Sequence, residues 1–143
     1  MQINVYSIEK KEEYKKEIEE FIKKSRPFAD VKNITLYSKN LSKTNNPKRE
    51  YSNIFEKYTA EGFNIILTPE GKLIDSIEFS KMFEYPKINF FIGGAWGFDE
   101  EFKKKGINVS LSPLTMSHKI AKIVLFEQIY RALSIKNNHP YHK

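Results

Sequence analysis

The chain has 143 residues, 24 basic against 18 acidic side chains for a net charge of +6, three histidines and no cysteine, a length that fits one domain over residues 1–143. The absent thiols exclude disulfides, thiolate metal sites and a cysteine nucleophile and fit a reducing compartment, and three histidines leave little for a metal cage, so no metal is expected. No apolar run approaches the roughly 18 residues of a membrane span, and Met1-Gln2-Ile3-Asn4-Val5 lacks the basic-then-apolar order of a signal peptide; a soluble cytoplasmic protein with no membrane partner is expected.

Short apolar runs alternate with longer amphipathic segments, five of each, which predicts an α/β fold with a mostly parallel sheet. Ile3 to Ser7 reads as a strand. Glu9 to Lys24 reads as a helix with Tyr14, Ile18, Phe21 and Ile22 on one stripe. A strand from Asn33 to Tyr37 leads into the polar loop Ser42 to Pro47, where Lys43, Lys48 and Arg49 are read as solvated surface ahead of phosphate ligands. A helix from Pro47 to Glu61 carries Tyr51, Ile54, Phe55 and Tyr58 on one face and stops at Gly62.

Phe63 to Thr68 reads as a buried strand ending in a tight turn, Pro69-Glu70-Gly71-Lys72, and then a helix from Asp75 to Phe83. The fourth strand, Ile88 to Ile92, runs into Gly93-Gly94-Ala95-Trp96-Gly97. A short helix from Asp99 to Lys105 precedes the fifth strand, Ile107 to Leu111, and the loop Ser112-Pro113-Leu114-Thr115-Met116 delivers the most apolar helix, Ser117 to Lys136. Apolar residues surround much of that helix, so it is expected to be buried on more than one side, with a twofold homodimer interface as the economical reason.

Ligands of open α/β sheets bind beyond the carboxyl ends of the strands, which directs attention to the turns after the third, fourth and fifth strands. Gly93 and Gly94 let backbone approach a ligand, but the G-x-G-x-x-G order is missing and no G-K-[ST] follows, which argues against a dinucleotide or triphosphate site. The Ser112–Met116 loop has the character to wrap an adenine-like ring; the competing reading makes Leu114 and Met116 core plugs. Glu127 and Arg131 have the i,i+4 spacing of a structural pair, and Arg131 is also a candidate for substrate phosphate.

From Thr115 onward five basic residues face one acid, and all three histidines lie there, a bias that points to a polyanionic partner, RNA or DNA ahead of a membrane surface. The final hexapeptide, Asn138-His139-Pro140-Tyr141-His142-Lys143, combines two imidazoles, a phenol, a proline and a cation. Two readings stand open for it: binding-site chemistry, or a tail that docks on its own domain through Tyr141.

Taken together, Ile92-Gly93-Gly94 with Gly97, Leu114-Thr115-Met116-Ser117-His118, Glu127-Gln128-Ile129-Tyr130-Arg131-Ala132 and His139-Pro140-Tyr141-His142-Lys143 resemble the ribosomal RNA large subunit methyltransferase H family, a SPOUT class of enzymes. Order and spacing match over about Phe63 to Lys143, and Glu70-Gly71-Lys72 also fits. The resemblance implies a SPOUT α/β-knot whose C-terminal part, within about 63–143, is threaded into a deep trefoil knot, a rare exception to the rule against knotted chains. It further implies a homodimer that binds S-adenosyl-L-methionine and methylates N3 of a pseudouridine in helix 69 of 23S rRNA on the assembled ribosome. Carried over by position, Leu67, Gly93 and Leu111, Ser112, Pro113, Leu114, Thr115 and Met116 would contact the cofactor. His118, Arg131, Tyr141 and His142 match positions tied to RNA or to activity, with the tail completing the partner subunit's site.

Three departures stand out. Members commonly carry a proline or serine and then a small or acidic residue where this chain has Ala95-Trp96, a proline where it has Ser117, and frequently an arginine where it has Lys122. The alternative function is a non-catalytic ribosome- or RNA-binding protein that keeps the fold; a nucleotide-binding α/β domain unrelated to RNA stands third.

Overall fold

A computed structural model of the chain describes residues 1–143. In chain order it contains β1 (Gln2–Ile8), α1 (Lys15–Ser25), β2 (Asp30–Leu36), α2 (Pro47–Phe55), β3 (Phe63–Leu73), α3 (Ser76–Ser80), β4 (Lys87–Ile92), α4 (Glu100–Lys103), β5 (Ile107–Ser110) and α5 (His118–Lys136), with short 3-10 turns at Lys39–Ser42 and Glu56–Thr59. The five strands form one parallel sheet in the order β2-β1-β4-β3-β5.

Successive strand residues point to opposite faces, and both faces are covered, which is why the strands read as continuous apolar runs. Val5, Ile65 and Phe90 face a large core closed by α1, α3 and α5, where Leu125, Phe126 and Ile129 are buried. Their neighbours Tyr6, Ile66 and Phe91 face a second, aromatic core with Tyr51, Phe55, Phe98 and Phe102. At the opposite end from the loops of interest, Asn4, Asn89 and Asn64 sit in register across β1, β4 and β3. Asn4 donates to Asn89 at 3.1 Å and Asn89 to Asn64 at 3.0 Å, a buried ladder that fixes strand register.

Five expectations are corrected. α1 starts at Lys15, because Glu9 and Glu12 in the preceding segment turn toward Lys122 on α5. The helix expected to run to Glu61 ends at Phe55 and tightens into the 3-10 turn, and α3 is shorter than expected. β2 begins three residues early, at Asp30. The largest change is at Pro69-Glu70-Gly71-Lys72, which is not a tight turn: β3 continues to Leu73, and both Leu67 and Lys72 pair with Val109 on β5. Thr68 to Gly71 form a bulge between these pairings. Gly71 permits it, since a Cβ there would lie 2.6 Å from the Val109 nitrogen and 2.7 Å from the Asn108 carbonyl carbon.

Candidate active site

The carboxyl ends of β3, β4 and β5 open together onto a cavity of about 500 Å³, within the range of small-molecule sites. β3 contributes Leu67 and the bulge residues Thr68 and Pro69; the turn after β4 contributes Gly93, Gly94, Ala95 and Gly97; β5 and its loop contribute Leu111, Ser112, Leu114, Thr115 and Met116. His118 and Ala121 close it from the first turn of α5. Seven of the eight residues assigned to cofactor contact therefore line one space. Pro113 is the exception: it is exposed and outside the lining.

Local structure explains how these loops hold shape. The Gly97 N–H donates to the Gly94 carbonyl at 3.1 Å, closing a turn with Gly97 at φ 72°. Tyr51, buried on α2, fills the space beneath Gly94 where a Cβ would collide with its ring. A Cβ on Gly93 would come within 3.2 Å of the Phe98 ring and 3.3 Å of Gly97, so a side chain there would crowd the cradle. In the β5 loop the Leu114 N–H donates to the Ser112 hydroxyl at 2.9 Å, and Ser117 caps α5 by accepting from the Ile120 N–H at 3.3 Å. Leu114 is 77 % exposed, so it plugs no core, and Met116 is half-buried on the cavity wall.

Arg131, Tyr141 and His142 form a second cluster at the far end of α5, and none of them lines the cavity. α5 stops at a Schellman arrangement with Asn138 at φ 57°, where the Asn138 N–H donates to Ile135 and the His139 N–H to Ser134. The chain then folds back. Glu127 Oε1 accepts from Arg131 Nε at 3.0 Å, from Arg131 Nη2 at 2.6 Å and from the Tyr141 hydroxyl at 3.0 Å. The Arg131 guanidinium lies 4.8 Å from the Tyr141 ring centroid, and its Nη1 lies 3.1 Å from His142 Nδ1. Tyr130 packs against Tyr141 with centroids 4.6 Å apart.

The electrostatics follow from Glu127. Its hydrogen bonds, opposed by burial, raise the Arg131 pKa, so the guanidinium is a fixed cation. Burial and donation to Glu127 raise the Tyr141 pKa, so the phenol keeps its proton and acts as a donor. Within one subunit the hexapeptide therefore docks on its own helix through Tyr141, and Glu127, read from the sequence only as a pairing partner, turns out to organise the cluster.

The basic excess of the C-terminal segment is largely engaged. Lys122, 1 % exposed, donates to Glu9 at 2.6 Å and to Glu12; Lys119 pairs with Glu13 at 2.6 Å; Lys136 donates to the Phe83 carbonyl. The charge count from Thr115 onward therefore overstated what that helix offers a polyanion.

The chain also aligns with known proteins. The family model described as "Predicted SPOUT methyltransferase" matches residues 1–142. Proteins named "Ribosomal RNA large subunit methyltransferase H" from Sulfurovum sp. (strain NBC37-1), Wolinella succinogenes and Campylobacter jejuni are 45 %, 44 % and 40 % identical to it, each aligned over all of both chains. The chain belongs to the SPOUT methyltransferase family. Within that family its relatives carry the ribosomal RNA large subunit methyltransferase H name. The match covers the N-terminal half as well, which the sequence reading tied to this family only by layout. The cavity wall also holds Thr68, Pro69 and Phe98, with Tyr51 beneath the glycine turn, none of which the sequence marks as site residues. Only the Pro69 segment had a visible signal. Tyr51 reads from sequence as one more apolar-face residue of α2.

Proposed function

We propose that this SPOUT methyltransferase uses S-adenosyl-L-methionine to methylate N3 of a pseudouridine in helix 69 of 23S rRNA on the assembled ribosome. The observation that carries the reading is the convergence of Leu67, Gly93 and the Leu111–Met116 loop on one cavity. Its size, its apolar side chains and its glycine cradle fit an adenosyl group with a short charged tail.

The cofactor, when bound, supplies a methyl group activated by a sulfonium. The protein then has to align the base nitrogen and take up its proton. Leu67, Gly93, Leu111, Ser112, Leu114, Thr115 and Met116 hold the cofactor; Pro113 shapes the loop that carries them. Arg131, a fixed cation, holds RNA phosphate, and Tyr141, a firm hydrogen-bond donor, positions the base. The proton passes to His118, which lines the cavity, or to His142, which touches Arg131.

One subunit does not bring these groups together. We assign the active form to a homodimer in which the tail of one subunit completes the cavity of the other, with the chain from about residue 63 onward threaded as a deep trefoil knot. The half-exposed stripe of α5 that includes Ile120, Val124 and Arg131 supports an interface there.

Labelled S-adenosylmethionine incubated with the protein and ribosomes lacking the modification tests the proposal. Label at the helix 69 pseudouridine is expected. Ribosome binding without transfer would favour the non-catalytic alternative.

A further inference from the structure

Trp96 is the only tryptophan in the chain. It sits on the glycine turn at the cavity mouth and is 63 % exposed, while its neighbours Ala95 and Gly97 line the cavity and it does not. Its backbone is nevertheless held from below. The Gly94–Gly97 hydrogen bond closes the turn around it, and the buried Tyr51 ring fills the space beneath Gly94. A rigid turn that presents an indole to solvent loses little freedom when the ring meets a partner.

The same helix that supplies Tyr51 brings cations to this rim. Arg49 reaches Asp99, two residues past Gly97, at only 4.0 Å, with its side chain 61 % exposed. Lys48, exposed, lies within electrostatic range of Glu70 on the β3 bulge, where Thr68 and Pro69 meet the cavity. In contrast to Lys119, Lys122 and Arg131, neither is held by a close carboxylate. An exposed aromatic ring flanked by exposed cations is the means by which proteins hold unpaired bases and their phosphates.

We propose that Trp96 is a stacking platform for an unpaired base of the RNA substrate next to the target nucleotide, with Lys48 and Arg49 holding the adjoining phosphates. The inference rests on the RNA-methylating reading given above and adds a recognition element outside the cofactor cavity. An adenine of the cofactor belongs inside the cavity, so Trp96 contributes nothing to cofactor binding.

The test compares wild type with Trp96→Ala and Trp96→Phe. Three quantities are measured: KM for ribosomes lacking the modification, calorimetric affinity for S-adenosylmethionine, and subunit mass by sedimentation. Trp96→Ala should raise KM for ribosomes about tenfold, the scale of one lost base stack, and Trp96→Phe should recover most of it, with cofactor affinity and mass unchanged. A KM within twofold of wild type in Trp96→Ala overturns the proposal. So does weaker cofactor binding, which would make Trp96 a wall of the cavity, or dissociation of the subunits, which would make it an interface residue. If the wild type transfers no methyl group, the variants are compared by co-sedimentation with ribosomes. A tenfold loss of binding then upholds the stacking platform while the catalytic reading fails, and equal binding removes both.

Discussion

Arg131 and His118 lie on the same helix but more than three turns apart, about 20 Å along its axis. His118 lines the cavity, whereas Arg131 is held by Glu127 beside Tyr141 and His142. No side chain bridges that distance within one subunit, which is the observation behind the proposed sharing of the site between two copies of the chain.

His142→Ala should leave calorimetric affinity for S-adenosylmethionine unchanged and reduce turnover at least about 100-fold, the scale of a lost proton acceptor. Tyr141→Phe keeps the ring between Tyr130 and Arg131 but removes the bond to Glu127, so it should have a smaller effect than Tyr141→Ala. Full activity in His142→Ala would dismiss the tail from catalysis.

Gly71→Ala places a methyl group against the backbone of Val109. Pairing of β3 with β5 beyond the bulge should fail, with a stability loss of about 1–3 kcal/mol and weaker cofactor affinity, because Val109, Ser110 and Thr68 line the cavity. Urea melts and calorimetry read the two effects. Wild-type stability would show that the bulge relaxes freely.

Lys122 is enclosed by Glu9 and Glu12, and Glu9 Oε1 has no hydrogen-bond partner. Lys122→Met strands two carboxylates and should cost about 3–5 kcal/mol. Lys122→Arg offers more donors to the same acids and should remain folded with near wild-type stability. Equal losses in both variants would show that volume, not charge, governs the site.

The same cluster sets an acid limit. Burial would raise the Glu12 carboxyl, but hydrogen bonds from Lys122 and Asn33 and the Lys122 charge outweigh it and lower its pKa below the ordinary 4.5. A group lowered in the folded state contributes stability that is present above its unfolded pKa and lost as pH falls through the folded one. Stability should therefore decline below about pH 4.5, and Glu12→Gln should flatten that decline. An identical acid profile in Glu12→Gln would place the sensitivity elsewhere.

Periodicity and turn residues marked all five strands, because apolar runs of four to six residues between helical segments have few other uses in a parallel sheet. Boundaries failed where long-range contacts decide. Glu9 and Glu12 read as the start of a helix until Lys122, more than a hundred residues later, draws them away. The bulge after Leu67 was hidden because Pro69-Glu70-Gly71 has the composition of a turn, while the close approach of β5 that demands glycine is not local. The cavity loops were legible as a family pattern, and their convergence follows from strand order, which local sequence does not encode. The tail's return onto Glu127 depends on a helix end at Asn138, whose left-handed backbone is common to asparagine but not announced by it.

The decisive measurement is complementation between two inactive variants. Thr115→Trp fills the cavity from an exposed loop position, and Arg131→Ala disables the tail cluster. Unfolded and refolded together, they should recover about a quarter of wild-type methyl transfer, because half the dimers are mixed and each holds one intact cavity facing one intact tail. Mixed dimers no more active than either parent would contradict a site shared between subunits.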